Sequence, residues 1–159
     1  MGSKTLIYRQ KVQINFEEAH KHLKRLDGAF DELLKKYQLP LVEKEYKHIL
    51  NNIQDLAYSD QIIYRFAKLQ DVMGAKLFKS ILLYQGETVN KPFLDILNQL
   101  EKMEILDVEE WFEIRDLRNE ISHDYEDSGS TAMHMLNMIF KLKKELEKIL
   151  NAIGILLKI

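Results

Sequence analysis

The run Ile114-Arg115-Asp116-Leu117-Arg118-Asn119-Glu120-Ile121-Ser122-His123-Asp124-Tyr125 gathers two guanidinium groups, an amide, an imidazole and a phenol on one short segment. Of the 23 basic residues in the chain 18 are Lys and 5 are Arg, yet two of those five stand at positions 115 and 118. Arg presents a planar, permanently charged fork that meets phosphate or carboxylate with two parallel hydrogen bonds, whereas Lys is a hydrated point charge. Histidine is the side chain whose ordinary pKa lies nearest neutrality, which makes His123 the natural proton carrier of the group. Together these residue types suit a phosphate-bearing ligand.

On a helix, Asn119 and His123 lie four residues apart and share a face, while Arg115, Arg118, Ser122 and Tyr125 form an adjacent stripe. Arg118 and His123 are then not stacked on one another, but the length of the Arg side chain lets both reach one ligand at the helix end. Leu117 and Ile121 fall on the apolar side and anchor the helix, leaving the polar groups on a rim where a site or a dimer interface can form. A purely local account competes: Arg on a helix surface pairs with acids such as Glu113 or Asp116, and His in a last turn complements the helix dipole.

The elements that must position this segment are helical. Phe16, Ala19, Leu23, Leu26, Phe30, Leu33 and Tyr37 alternate steps of three and four and predict one long amphipathic helix that stops before Pro40. Val42, Tyr46, Ile49, Ile53 and Leu56 repeat the pattern. Ser59 or Asp60 then offers an N-cap for a helix through Ile62, Phe66, Leu69, Met73, Leu77 and Ile81, ending near Gly86. Pro92 suits the first turn of a shorter helix carrying Phe93, Leu97 and Leu100. Asp107 with Glu110 forms a capping box for the motif helix, whose inner face is Val108, Trp111, Ile114, Leu117 and Ile121. Asp127-Ser128-Gly129-Ser130 is a break, after which Met135, Ile139, Leu142, Leu146, Ile149, Ile153 and Leu156 form the closing helix. Short links between long amphipathic helices predict an all-α fold: an antiparallel up-and-down helical bundle of about four main helices plus one or two short ones. It is expected to be a single domain over 1–159, with residues 1–5 set aside as a tag remnant or a disordered end.

Composition agrees. The chain has 159 residues, is 46% hydrophobic and 30% charged, and holds only 2 Pro and 6 Gly, which leaves little material for hairpin turns. A formal net charge of −2 means that any nucleic-acid contact must come from a local basic patch and not from the field of the whole molecule. Cys is absent, which rules out disulfides, thiol catalysis and Cys-ligated metal, and no apolar run approaches the roughly 18 residues a membrane span needs. The expected location is the cytoplasm, with no membrane contact. His20, His22, His48 and His134 lack carboxylates at metal-binding spacing, so neither a metal nor another cofactor is expected. Gly28 and Gly74 fall inside helical patterns and are expected where a neighbouring helix approaches closely. Met133, Leu136, Met138 and Phe140 lie outside the main stripes, which predicts either a surface covered by a second copy or partner or an irregular core.

Arg118-Asn119-Glu120-Ile121-Ser122-His123-Asp124-Tyr125 resembles the Arg-Asn-x3-His core of the HEPN superfamily, in the Arg-x4-His-x-Tyr form of the toxins of MNT/HEPN toxin–antitoxin pairs. The position of the segment, before a loop and a long final helix in an all-helical chain, fits as well. The resemblance implies a helical bundle that forms a homodimer with the two motifs facing each other across a cleft. It further implies metal-independent cleavage of RNA and a small nucleotidyltransferase antitoxin of the MNT type that modifies Tyr125 with AMP. Related members described as substrate-binding subunits of nucleotidyltransferases imply the alternative of a non-catalytic nucleotide-binding partner. For cleavage, Arg118 would hold the phosphate, His123 would carry the proton, and Asn119 would orient His123 or the ribose. Arg115 and Ser122 would extend the substrate-binding rim, and the second proton carrier would come from the partner copy.

Overall fold

A computed structural model of the chain describes residues 2–125 and 130–159. The elements are α1 (Ser3–Leu34), α2 (Glu43–Leu50), α3 (Ile53–Val72), a π-helical segment (Met73–Leu77), α4 (Phe78–Tyr84), α5 (Phe93–Lys102), α6 (Val108–Asp124) and α7 (Ser130–Leu157). The fold is all-α. The break expected at Asp127–Gly129 lies outside the described residues. No helix among those described is long and apolar enough to cross a membrane.

Side-chain contacts fix the directions of the long helices. α1 meets the α3–α4 rod through Arg9 with Tyr84, Asn15 with Ser80, Glu18 with Lys76 and Lys36 with Asp55, a descending series that makes the two antiparallel. α7 runs back along α1, with Phe140 edge-on to Phe30, Lys143 on Asp27 and Gly154 against Phe16. α6 descends along α3 through Arg118 with Asp71 and Tyr125 with Asp60. The result is up, down, up, down, with α2 and α5 as short connecting helices. The buried apolar side chains form one contiguous cluster, whose largest members include Trp111, Phe30, Phe66 and Phe78.

Several boundaries differ from those the periodicity suggests. α1 begins at Ser3, well before the stripe at Phe16; Arg9 donates to the Tyr84 hydroxyl of α4 at 3.2 Å while Leu6 and Ile7 stay exposed. The pattern from Val42 to Leu56 is not one helix. It breaks at Asn51–Asn52, where the Asn52 side chain accepts from the Asp55 N–H at 3.0 Å and caps α3. Ser59 therefore sits buried in the helix interior and Asp60 follows it there, so neither is a cap. The rod ends as expected, at Gly86, whose φ of +84° suits a residue without Cβ while the Glu87 N–H donates to the Leu82 carbonyl at 2.9 Å.

Gly28 faces open space and is not a packing position. Gly74 is: a Cβ there would lie 3.2 Å from Trp111 Cζ2. Gly154 is a second close approach, where a Cβ would lie 3.3 Å from Phe16 Cζ, that the helical pattern does not single out. Leu136 is fully buried, and Met133, Met138 and Phe140 pack half-buried against the core. In the last turn of α7 Leu157 is buried in place of Leu156.

Candidate functional site

Helix α6 is set by its amino-terminal end. The Asp107 carboxylate accepts from the Glu110 N–H at 3.0 Å, and Glu101 accepts from the Val108 N–H at 2.7 Å, satisfying two donors of the first turn. Trp111, Ile114 and Leu117 then bury one face, with the indole edge-on to Phe78 at 4.7 Å between ring centres. Burying that stripe turns the other face outward. Arg115, Arg118, Asn119, Ser122 and His123 thus line a single cavity of about 540 Å³.

The opposite wall belongs to the rod and to α5. Gln70 and Asp71 come from α3, Gly74 and Ala75 from the π segment, Lys79 from α4 and Phe93 from α5. The π segment matters here, because i→i+5 bonding winds an extra residue into the turn and keeps Asp71, Ala75 and Lys79 on one side of the rod. Gly74 lets the rod close onto Trp111 beneath the cavity. Of these wall residues only Gly74 stands out in the sequence, as a glycine inside a helical pattern. The available signal was three successive steps of four from Leu69 to Met73, Leu77 and Ile81, longer than the α-helical period.

Arg118 is not paired within its own helix. Its Nε donates to Asp71 Oδ1 at 2.8 Å and its Nη2 to Oδ2 at 2.9 Å, a two-pronged bond that holds the guanidinium proton still more firmly than usual. Neither Glu113 nor Asp116, the local acids, takes this role. Arg118 is 24% exposed and Asp71 41%, so the pair stands at the cavity surface. Arg115 lies over the Phe93 ring, 5.6 Å from its centre. His123, Asn119 and Ser122 are exposed at the opening.

Tyr125 departs from the stripe drawn for it. It is the C-cap of α6, extended at φ −65° and ψ 123°, so the helical spacing that grouped it with Arg118 and Ser122 ends one residue earlier. Its hydroxyl donates to Asp60 Oδ1 at 2.8 Å, outside the cavity. Arg115, Arg118, Asn119, Ser122 and His123 are therefore brought together, and Tyr125 is held outside the cavity by Asp60 of α3. Among the described residues no cluster of three or more His, Asp or Glu has the arrangement of a metal site. Comparison with protein families, with curated proteins and with solved structures returned no match for this chain.

Proposed function

We propose that the chain is an endoribonuclease of the HEPN type, acting as a homodimer and serving as the toxin of a toxin–antitoxin pair. The observation that carries the proposal is the convergence of Arg115, Arg118, Asn119, Ser122 and His123 on one cavity of about 540 Å³, a size suited to a nucleotide. Metal-independent cleavage needs the 2′-hydroxyl to attack phosphorus while the bond to the 5′-oxygen breaks, leaving a 2′,3′-cyclic phosphate and a 5′-hydroxyl. His123 takes the 2′-proton, and His123 of a second copy supplies the proton that the leaving oxygen needs. Arg118 stabilises the phosphorane charge, with Asp71 holding the fork in plane until the phosphate takes its bonds. Tyr125 is the acceptor for AMP, which a small nucleotidyltransferase partner transfers from ATP as the phenol loses its proton and pyrophosphate leaves; the hydroxyl must first part from Asp60.

Purified protein should cleave RNA in the presence of a chelator, and His123→Ala should abolish the cleavage; full activity in the variant removes His123 from the reaction. Mixing inactive Arg118→Ala and His123→Ala chains should restore part of the activity, whereas none would mean self-contained sites. One observation favours a second reading. The Arg118 charge is already compensated by Asp71, as suits a site that holds a nucleotide for a partner nucleotidyltransferase without reacting with it. Nucleotide binding with no cleavage by either the wild type or a mixed sample would select that reading.

A further inference from the structure

Charge in the cavity is not distributed as the motif suggests. Arg118 contributes little net attraction because both of its bonded nitrogens face the Asp71 carboxylate. Lys79 and Arg115 are different. No carboxylate among the described residues comes within ion-pair distance of either, whereas Lys76, three residues before Lys79, is bound to Glu18 at 3.6 Å. Arg115 is steadied by the face of Phe93, a contact that leaves the N–H edge of its guanidinium available to an acceptor.

The two uncompensated cations share one end of the cavity. α6 and the rod run antiparallel with Arg118 opposite Asp71, so moving forward from Asp71 to Lys79 leads toward Arg115. Arg115 precedes His123 by eight residues, about 12 Å along the helix axis, too far for one phosphate group to touch both. We infer that Lys79 and Arg115 form a second phosphate subsite, so that the cavity takes a nucleic-acid strand unit with phosphate on both sides of one nucleoside. One phosphate meets Arg118 and His123; the adjacent one meets Lys79 and Arg115. The inference rests on the phosphate-handling reading of Arg118 and His123, and it adds where the strand runs and which charges draw it in.

Calorimetric titration with adenosine 3′,5′-bisphosphate, adenosine 3′-monophosphate and adenosine 5′-monophosphate tests it. The bisphosphate should bind the wild type more tightly than either monophosphate by on the order of tenfold, as one added set of charge-assisted hydrogen bonds brings. Lys79→Ala and Arg115→Gln should each erase most of that advantage, and Lys79→Ala should weaken only the monophosphate whose phosphate lies at Lys79, leaving the other monophosphate bound as in the wild type. Lys79 is exposed, so its truncation leaves the core untouched, and the melting temperature checks that it does. Monophosphate binding with no bisphosphate advantage overturns the second subsite and spares the first. An advantage that survives both substitutions overturns its placement at Lys79 and Arg115. Failure of all three nucleotides to bind overturns the phosphate site itself and the inference with it.

Discussion

The two ends of α6 are tied to the bundle in opposite ways. At its start Glu110 shares a hydrogen bond with Glu145 of α7, and that bond, with burial and the neighbouring negative charge, pushes the Glu110 carboxyl up to about 7. Next to it Trp111 is completely buried against Phe78 and the Gly74 turn. At its other end the helix is joined to α3 by the partly exposed Arg118–Asp71 ion pair, and its last apolar anchor, Ile121, is 9% exposed. Packing fixes the first end, and electrostatics presents the second. The chemical groups therefore stand where the helix is held least by burial, so small displacements of the rim cost little.

Truncation should expose that asymmetry most strongly. Trp111→Ala removes a fully buried ring and should lower stability by about 3–5 kcal/mol, whereas Ile121→Ala, at the thinly covered end, should cost roughly 2 kcal/mol, at the low end of such truncations. Denaturant unfolding of the two variants measures both. Equal costs would mean that the rim is as firmly packed as the start of the helix, and the contrast would be lost.

Asp71→Asn acts on the other end. The pair is part-exposed, so its loss should cost no more than about 1 kcal/mol. The charge that Asp71 withholds is then released into the cavity. Affinity for inorganic phosphate should rise, and titration against the wild type reads the change. A fall in affinity would show that orientation of the Arg118 fork outweighs its charge, making Asp71 a positioning residue.

What the sequence made legible follows the same division. Arg115, Arg118, Asn119, Ser122 and His123 lie on one helix, and their mutual placement follows from local spacing alone. Asp71, Lys79 and Phe93 approach them from helices distant in the chain, and only tertiary packing shows that a carboxylate and a lysine face the motif. The four long helices were legible because each buries a continuous apolar stripe. The division between α2 and α3 was hidden because Ile49 and Ile53 are a helical step of four apart in sequence, although Ile49 is buried and Ile53 is 85% exposed. The first turns of α1 were hidden for the opposite reason: they carry no buried stripe before Val12, and their polar bond to the rod is that of Arg9 to Tyr84. Tyr125 leaves the helical stripe because α6 stops at Asp124, one residue before it.

The smallest expected effect is the pH response of the start of α6. Glu110 holds its proton more tightly in the folded chain than at the ordinary value of 4.5. Its contribution to stability is therefore complete below about 4.5 and is lost as pH rises through about 7. His22 works in the other direction. Burial and the Arg65 guanidinium, 2.9 Å from its Nδ1, lower its pKa from 6.5, so its contribution is present above 6.5 and declines as pH falls. The two slopes oppose one another in the wild type between about 4.5 and 6.5, and a bare melting curve against pH would blur them. Glu110→Gln separates them, since the amide keeps a donor toward Glu145 at every pH. The melting temperature of the variant minus that of the wild type should increase steadily from pH 4.5 to 7 and then level off. The gain stays modest because the carboxyl pair is half in solvent and screened. A difference that is flat with pH would place the shared proton elsewhere, and the start of α6 would then be held by packing and by the bonds of Asp107 and Glu101 to its first turn.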